Sequence, residues 1–157
     1  MKFIGIDPSL TENAVVCLDE NGEILESKLI KTDSKSEIED RINYIYNSIY
    51  NIINKYEDNK LINIEGLAFG AKGNAITQLA GLHYFVRINL KNNNLEYKII
   101  PPTTLKKFVT GRGNCKKELM LLKIYKRWRV EFDNNNLADS YGLAKMALDN
   151  YKEGENN

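Results

Sequence analysis

Lys2-Phe3-Ile4-Gly5-Ile6-Asp7-Pro8-Ser9 opens the chain on an apolar run that stops at an acid and a proline. A run this short, bounded by a turn signal, predicts a buried strand over Lys2–Asp7. Rigid backbone then holds the Asp7 carboxylate at the edge of a sheet. A second run of the same kind, Leu61-Ile62-Asn63-Ile64-Glu65, ends on Glu65 before Gly66. A third acid, Asp139, stands near the start of a C-terminal helical pattern, Asn136-Leu137-Ala138-Asp139-Ser140. Two carboxylates at strand ends and one on a nearby helix can converge on one point. Like charges brought together are unfavourable unless a proton or a cation lies between them. Hard oxygen ligands on rigid elements point to Mg²⁺, and clusters of this kind cut phosphodiesters. Taken singly, each acid can equally cap a helix or meet solvent.

Outward from these runs, Ala14–Leu18 reads as a second strand and Glu23–Ile30 as a third, with a turn at Glu20-Asn21-Gly22 between them. The three make an antiparallel meander. Ser34-Lys35-Ser36-Glu37 offers a capping box for a helix whose apolar residues recur from Ile38 to Tyr56. Leu61–Glu65 is a fourth strand and Glu96–Ile100 a fifth. Residues 66–73 form a loop with three glycines. Further helices are predicted over Asn74–Leu90, Thr103–Val109 behind Pro101-Pro102, Lys117–Trp128 and Leu137–Tyr151. The polar tail, residues 152–157, is expected to fray. The pattern is that of an α/β protein with a five-stranded mixed sheet flanked by helices, folded as one domain over residues 1–151. If the fourth strand runs parallel to the first, Asp7 and Glu65 share the carboxyl edge, where open α/β sheets place their sites.

A chain of 157 residues, 43% hydrophobic, is ordinary for one domain with a real core. No apolar run approaches the roughly 20 residues that span a membrane. The N-terminus reaches Asp7 too soon for a signal-peptide core, so the expectation is a cytoplasmic protein without a membrane partner. Cys17 and Cys115 lack metal-ligand spacing and are expected as free thiols. His83 is the single histidine. That speaks against a His-based zinc site or a Ser-His-Asp triad, and leaves a packed or surface residue. Net charge is +1, but Pro101–Val130 holds nine basic residues against Glu118. That window carries +8, leaving −7 for the remainder. Such a segment is either a footprint for a polyanion or a solvated helix face, and the nearby acids favour nucleic acid.

Five pieces occur together: Gly5-Ile6-Asp7-Pro8-Ser9, Ile64-Glu65-Gly66, the stretch from Pro102-Thr103-Thr104 through Leu105-Lys106-Lys107-Phe108-Val109-Thr110 to Gly111-Arg112-Gly113, Lys116-Lys117, and Leu137-Ala138-Asp139-Ser140. In order and spacing the set resembles RuvC-type Holliday-junction resolvases of the small phage kind, within the ribonuclease H-like fold. The resemblance implies a RuvC-like nuclease domain, a homodimer that nicks two opposing strands of a four-way junction, and a cluster of four acids holding Mg²⁺, with Mn²⁺ as a substitute. If phage-encoded, it would act in the host cytoplasm. It implies no helicase partner. Asp7, Glu65 and Asp139 match three of the acids. The fourth position falls on Asn136, where a neutral carbonyl oxygen replaces an anion. Asp133 could substitute, Asn136 could be a natural variation that leaves a slower nuclease, or it could be an engineered Asp→Asn change.

On this reading Asp7 bridges two Mg²⁺ ions, Glu65 serves one and Asp139 the other, for activation of water and of the leaving 3′ oxygen. Lys106 and Lys117 match lysines that the family places near the scissile phosphate. Lys107, Arg112 and Lys116 are read as grips on flanking backbone. Phe69, after Glu65, is a candidate wedge against an unstacked base or else a core residue. The helix from Ile76 to Leu90, apolar on more than one side, is the candidate dimer face. Three rival readings stand beside the resolvase: a catalytically inactive junction-binding protein, a nuclease for RNA–DNA hybrids, and an actin-like ATPase. The last lacks a second phosphate loop.

Overall fold

The computed structural model describes residues 1–67 and 73–155. Strands β1 (Lys2–Asp7), β2 (Glu12–Leu18) and β3 (Ile24–Lys31) form the expected antiparallel meander. Gly22 turns the β2–β3 hairpin at φ 87°, a conformation glycine adopts without steric cost. Asp19 Oδ1 accepts the backbone N–H groups of Asn21 and Glu23, both at 2.9 Å, and closes that turn. Strands β4 (Lys60–Glu65) and β5 (Tyr97–Ile100) run parallel to β1, giving the order β3-β2-β1-β4-β5. β1 is therefore central, which is why Phe3 to Asp7 are all buried.

Helices α1 (Ile38–Asn54), α2 (Asn74–Asn92), α3 (Pro102–Thr110), α4 (Lys117–Trp128) and α5 (Asn135–Glu155) cover the sheet. Alternate strand residues point to opposite faces and divide the core in two. Ile4, Ile6, Val15, Cys17, Ile62 and Ile64 pack with α1 and α2. Phe3, Val16 and Leu18 pack with α3, α4 and α5. Both cysteines are free, and His83 is buried on the inner side of α2. No helix among the described residues is long and apolar enough to cross a membrane.

Some boundaries differ from the sequence pattern. The capping box is not formed: Glu37 is the N-cap residue and makes no side-chain cap bond. Asp33 instead organises a turn ahead of it, accepting the Lys35 N–H at Oδ1 at 2.9 Å. β2 begins at Glu12, because Glu12 and Asn13 pair with Lys31 and Ile30 although neither shows apolar alternation. α5 begins at Asn135 and continues to Glu155, past the expected fraying point at Lys152. Lys and Glu are good helix formers and prolong a helix that the core already holds.

Candidate active site

Asp7 ends β1 and Glu65 ends the neighbouring strand, the parallel register pairing Ile6 with Ile64 just before them. Both carboxylates thus stand at the same sheet edge. Asp139 reaches them from the second turn of α5. One carboxylate oxygen from each of Asp7, Glu65 and Asp139 lies within 4.8 Å of the others. Asp7 is 7% exposed, and the other two are half-buried.

What brings α5 so close is the absence of a side chain at Gly5. A Cβ there would stand 1.9 Å from the Ser140 carbonyl oxygen and 2.7 Å from the Ala144 nitrogen. α5 backbone therefore rests directly on the central strand. Three polar contacts hold it in place. Ser140 Oγ donates to the Ala14 carbonyl at 3.0 Å, Asn63 Nδ2 donates to the Leu143 carbonyl at 3.0 Å, and Asn136 Nδ2 donates to the Glu12 carbonyl at 2.8 Å. The bonds from Ser140 and Asn63 are wholly buried, where a lost partner is expensive. Gly142 completes the fit, since a Cβ there would meet Leu105 and Val109 of α3 at 3.0 Å.

The start of α5 is built from asparagines. Asn134 Oδ1 accepts the N–H groups of Asn136 at 2.8 Å and Leu137 at 3.2 Å, a side-chain cap on otherwise orphaned donors. Its Nδ2 donates to Glu12 Oε2 at 3.3 Å. Glu12 also pairs with Lys31 at 3.2 Å, and the two partners hold its carboxyl below the usual range, Lys31 first. Asn136 thus spends its amide nitrogen on β2, leaving Oδ1 as the one atom it can offer a cation. Asp133 is exposed and lies outside the carboxylate group.

The donor set suits a hard divalent cation. Oxygens on opposite sides of one Mg²⁺ stand about 4.2 Å apart at about 2.1 Å from the ion. The spread of up to 4.8 Å is slightly wider than that, so the side chains would have to draw together to hold one ion. A divalent cation between the three carboxylates would offset their like charge.

The basic segment divides between α3 with its exit, which hold Lys106, Lys107, Arg112 and Lys116, and α4 with its C-cap, which hold the other five cations. Lys106 is half-buried on α3, while Lys107, Arg112 and Lys116 are exposed. Among the described residues no salt bridge engages any of these four, so their charges remain available to an anion. Gly111 caps α3 at φ 81°, and Thr110 Oγ1 accepts the Arg112 N–H at 3.2 Å, fixing the turn. Lys117 begins α4, but its side chain lies outside what is described, as does Phe69 entirely.

A family profile described as "Crossover junction endodeoxyribonuclease RuvC" matches residues 3–144. The chain belongs to the RuvC family. Similar RuvC proteins include that of Rickettsia typhi, 37% identical over 94% of this chain and 97% of that one, and that of Brachyspira hyodysenteriae, 26% identical over 92% and 91%. Among solved structures, Thermus thermophilus RuvC in complex with a Holliday junction substrate has a TM-score of 0.83 at 16% identity, covering 98% of this chain and 96% of that one. The Fowlpox virus Holliday junction resolvase gives 0.57 at 13% identity, covering 96% of this chain and 99% of that one. At such identities these two establish the fold, the ribonuclease H-like α/β arrangement.

Several residues that shape this RuvC site were not singled out from sequence. Asn63 had a signal, being polar in the middle of an apolar strand. Gly5 had one too, lying two residues before a carboxylate. Glu12 and Asn134 had none, because their roles depend on the docking of α5 against β2.

Proposed function

We propose that this RuvC-family chain is a metal-dependent endodeoxyribonuclease that resolves Holliday junctions and other branched DNA by paired nicking. The observation that carries the reading is the convergence of Asp7, Glu65 and Asp139 at one sheet edge. The three would hold Mg²⁺, with Mn²⁺ able to replace it. A bound divalent ion supplies a lowered pKa for water and charge compensation at the leaving oxygen. Asp7, on the most central strand, is the most rigid ligand, and Glu65 and Asp139 flank it. Asn136 fastens α5 to β2 and leaves the cluster one negative charge short of the four-acid arrangement.

Lys106 and Lys117 would face the scissile phosphate and offset its developing charge. Lys107, Arg112 and Lys116 would grip the flanking backbone, so binding should weaken steeply with salt. Phe69 remains the proposed wedge. The exposed flank of α2, with Tyr84 56% and Ile88 55% accessible, would pair two copies about a two-fold axis and so match the symmetry of a junction. Residues 1–151 would act as one nuclease domain in the cytoplasm.

A gel with a labelled four-way junction tests the reading. Wild type should cut it in Mg²⁺. Asp7→Asn should still bind but cut at least about 10³-fold more slowly, since the ion is worth several kcal/mol to the transition state. Cleavage by Asp7→Asn at the wild-type rate would sink the assignment. A shift without cleavage in wild type, restored by Asn136→Asp, would identify a binder that has lost its fourth acid. Preferential cutting of an RNA–DNA hybrid would move the substrate class.

A further inference from the structure

Strand β2 bears on two of the three acids by different means. Its Ala14 pairs with Asp7 in the antiparallel ladder. Its carbonyl oxygens at Glu12 and Ala14 accept bonds from α5. Asn136 Nδ2 donates to the first at 2.8 Å and Ser140 Oγ to the second at 3.0 Å. Asp139 lies between those two donors in the chain. Two residues of strand span about 6.8 Å and four residues of helix about 6.0 Å, so the two elements run nearly in step. α5 is thus set lengthwise on β2 at two points one turn apart, on either side of Asp139. Asp7 and Asp139 take their places from the same strand.

The bond from Asn136 needs an amide. An aspartate in its place has no N–H to give, and its carboxylate would face the Glu12 carbonyl oxygen, acceptor against acceptor. Asn134 adds a further link between the same elements. Its Oδ1 holds the N–H groups of Asn136 and Leu137, and its Nδ2 reaches Glu12 Oε2. The neutral residue at 136 therefore meets a demand made by β2.

We infer that Asn136 and Ser140 are positioning residues of the metal site. They register Asp139 against Asp7 through β2, and the site works with three carboxylates and a resident amide. This deepens the nuclease reading and rests on it. A ligand already held in place loses less freedom when the ion arrives. Groups that orient metal ligands from behind typically change metal affinity or activity about 10- to 100-fold when removed.

The test compares wild type with Asn136→Ala, Ser140→Ala and Asn136→Asp. The alanine changes shorten a side chain and add no bulk, and circular dichroism checks the fold of all three. Mn²⁺ binding to the DNA-free protein is read from the electron paramagnetic resonance of the free ion. It should weaken about 10-fold in each alanine variant. Single-turnover cleavage of a four-way junction at a fixed, limiting Mg²⁺ concentration should fall by about the same factor. Junction affinity without divalent metal should stay at the wild-type value, a split that general loosening of the fold would not produce. Asn136→Asp should cut no faster than wild type. Wild-type Mn²⁺ affinity in both alanine variants would overturn the positioning role, and so would junction affinity that falls in step with cleavage. Faster cleavage by Asn136→Asp would make residue 136 a lost ligand and overturn the three-carboxylate site. A wild type that binds Mn²⁺ but cuts no junction defeats the nuclease reading alone, because the metal titration judges the tether without DNA.

Discussion

α5 and α2 lie on opposite faces of one sheet and are held in different ways. α5 rests backbone-to-backbone on β1 at Gly5, and Asn63, Ser140 and Asn136 tie it to β4 and β2. α2 packs through Leu82, Val86 and Leu90, with Arg87 set over the Tyr84 and Tyr97 rings. Apolar packing tolerates small shifts in register, whereas directed hydrogen bonds and a glycine contact do not. The helix that carries Asp139 of the candidate cluster is the one held by backbone contact and directed hydrogen bonds. The helix with an exposed apolar flank carries no acid of the site.

The sharpest way to break this contrast is Gly5→Ala. Its methyl group would land on α5 backbone, which cannot rotate away, so the loss should exceed the ~1–3 kcal/mol of ordinary overpacking. Denaturant midpoints measure it, and a loss below about 1 kcal/mol would show that α5 is free to move.

The buried side of α2 provides the next test. His83 is 4% exposed, and burial, with Arg87 nearby, pushes its pKa down to about 4. The unfolded chain, near pKa 6.5, takes up its proton first as pH falls. The stability from burying neutral His83 is therefore complete above pH 6.5 and lost progressively down to about pH 4, by about 3 kcal/mol. Unfolding free energies across that window should fall less steeply in His83→Phe, and an identical pH dependence in the two proteins would refute the burial effect.

The smallest change in fold stability should come from the outer side of α2. Tyr84→Lys with Ile88→Lys should alter monomer stability by no more than about 0.5 kcal/mol. The same pair should shift sedimentation from dimer to monomer, and a dimer that persists would move the interface elsewhere.

The strands were legible because β1 and β4 are uninterrupted apolar runs ending on acids. Asp7 and Glu65 could be placed at a shared edge once parallel pairing was assumed, and Asp139 followed from the helical pattern around it. The start of β2 was not legible, since Glu12 and Asn13 gain strand structure from β3 and α5 rather than from their own periodicity. The capping signal at Ser34 and Glu37 misled because Asp33 makes the competing turn. Basic charge between Pro101 and Val130 was visible as a sum, but its division was not. Lys106, Lys107, Arg112 and Lys116 sit on α3 and its exit, whereas Arg127 and Arg129 sit at the end of α4.

Local chemistry along the chain was enough to specify a mixed α/β sheet, three ligand-type carboxylates and a neutral Asn136, because apolar periodicity and residue type need no partner to be read. The 4.8 Å convergence of those carboxylates and the tether from Asn136 to Glu12 required the folded chain. Each joins residues from separate elements, and such distances depend on how closely helices dock on the sheet. That docking is governed here by the missing side chain at Gly5 and the buried amide of Asn63.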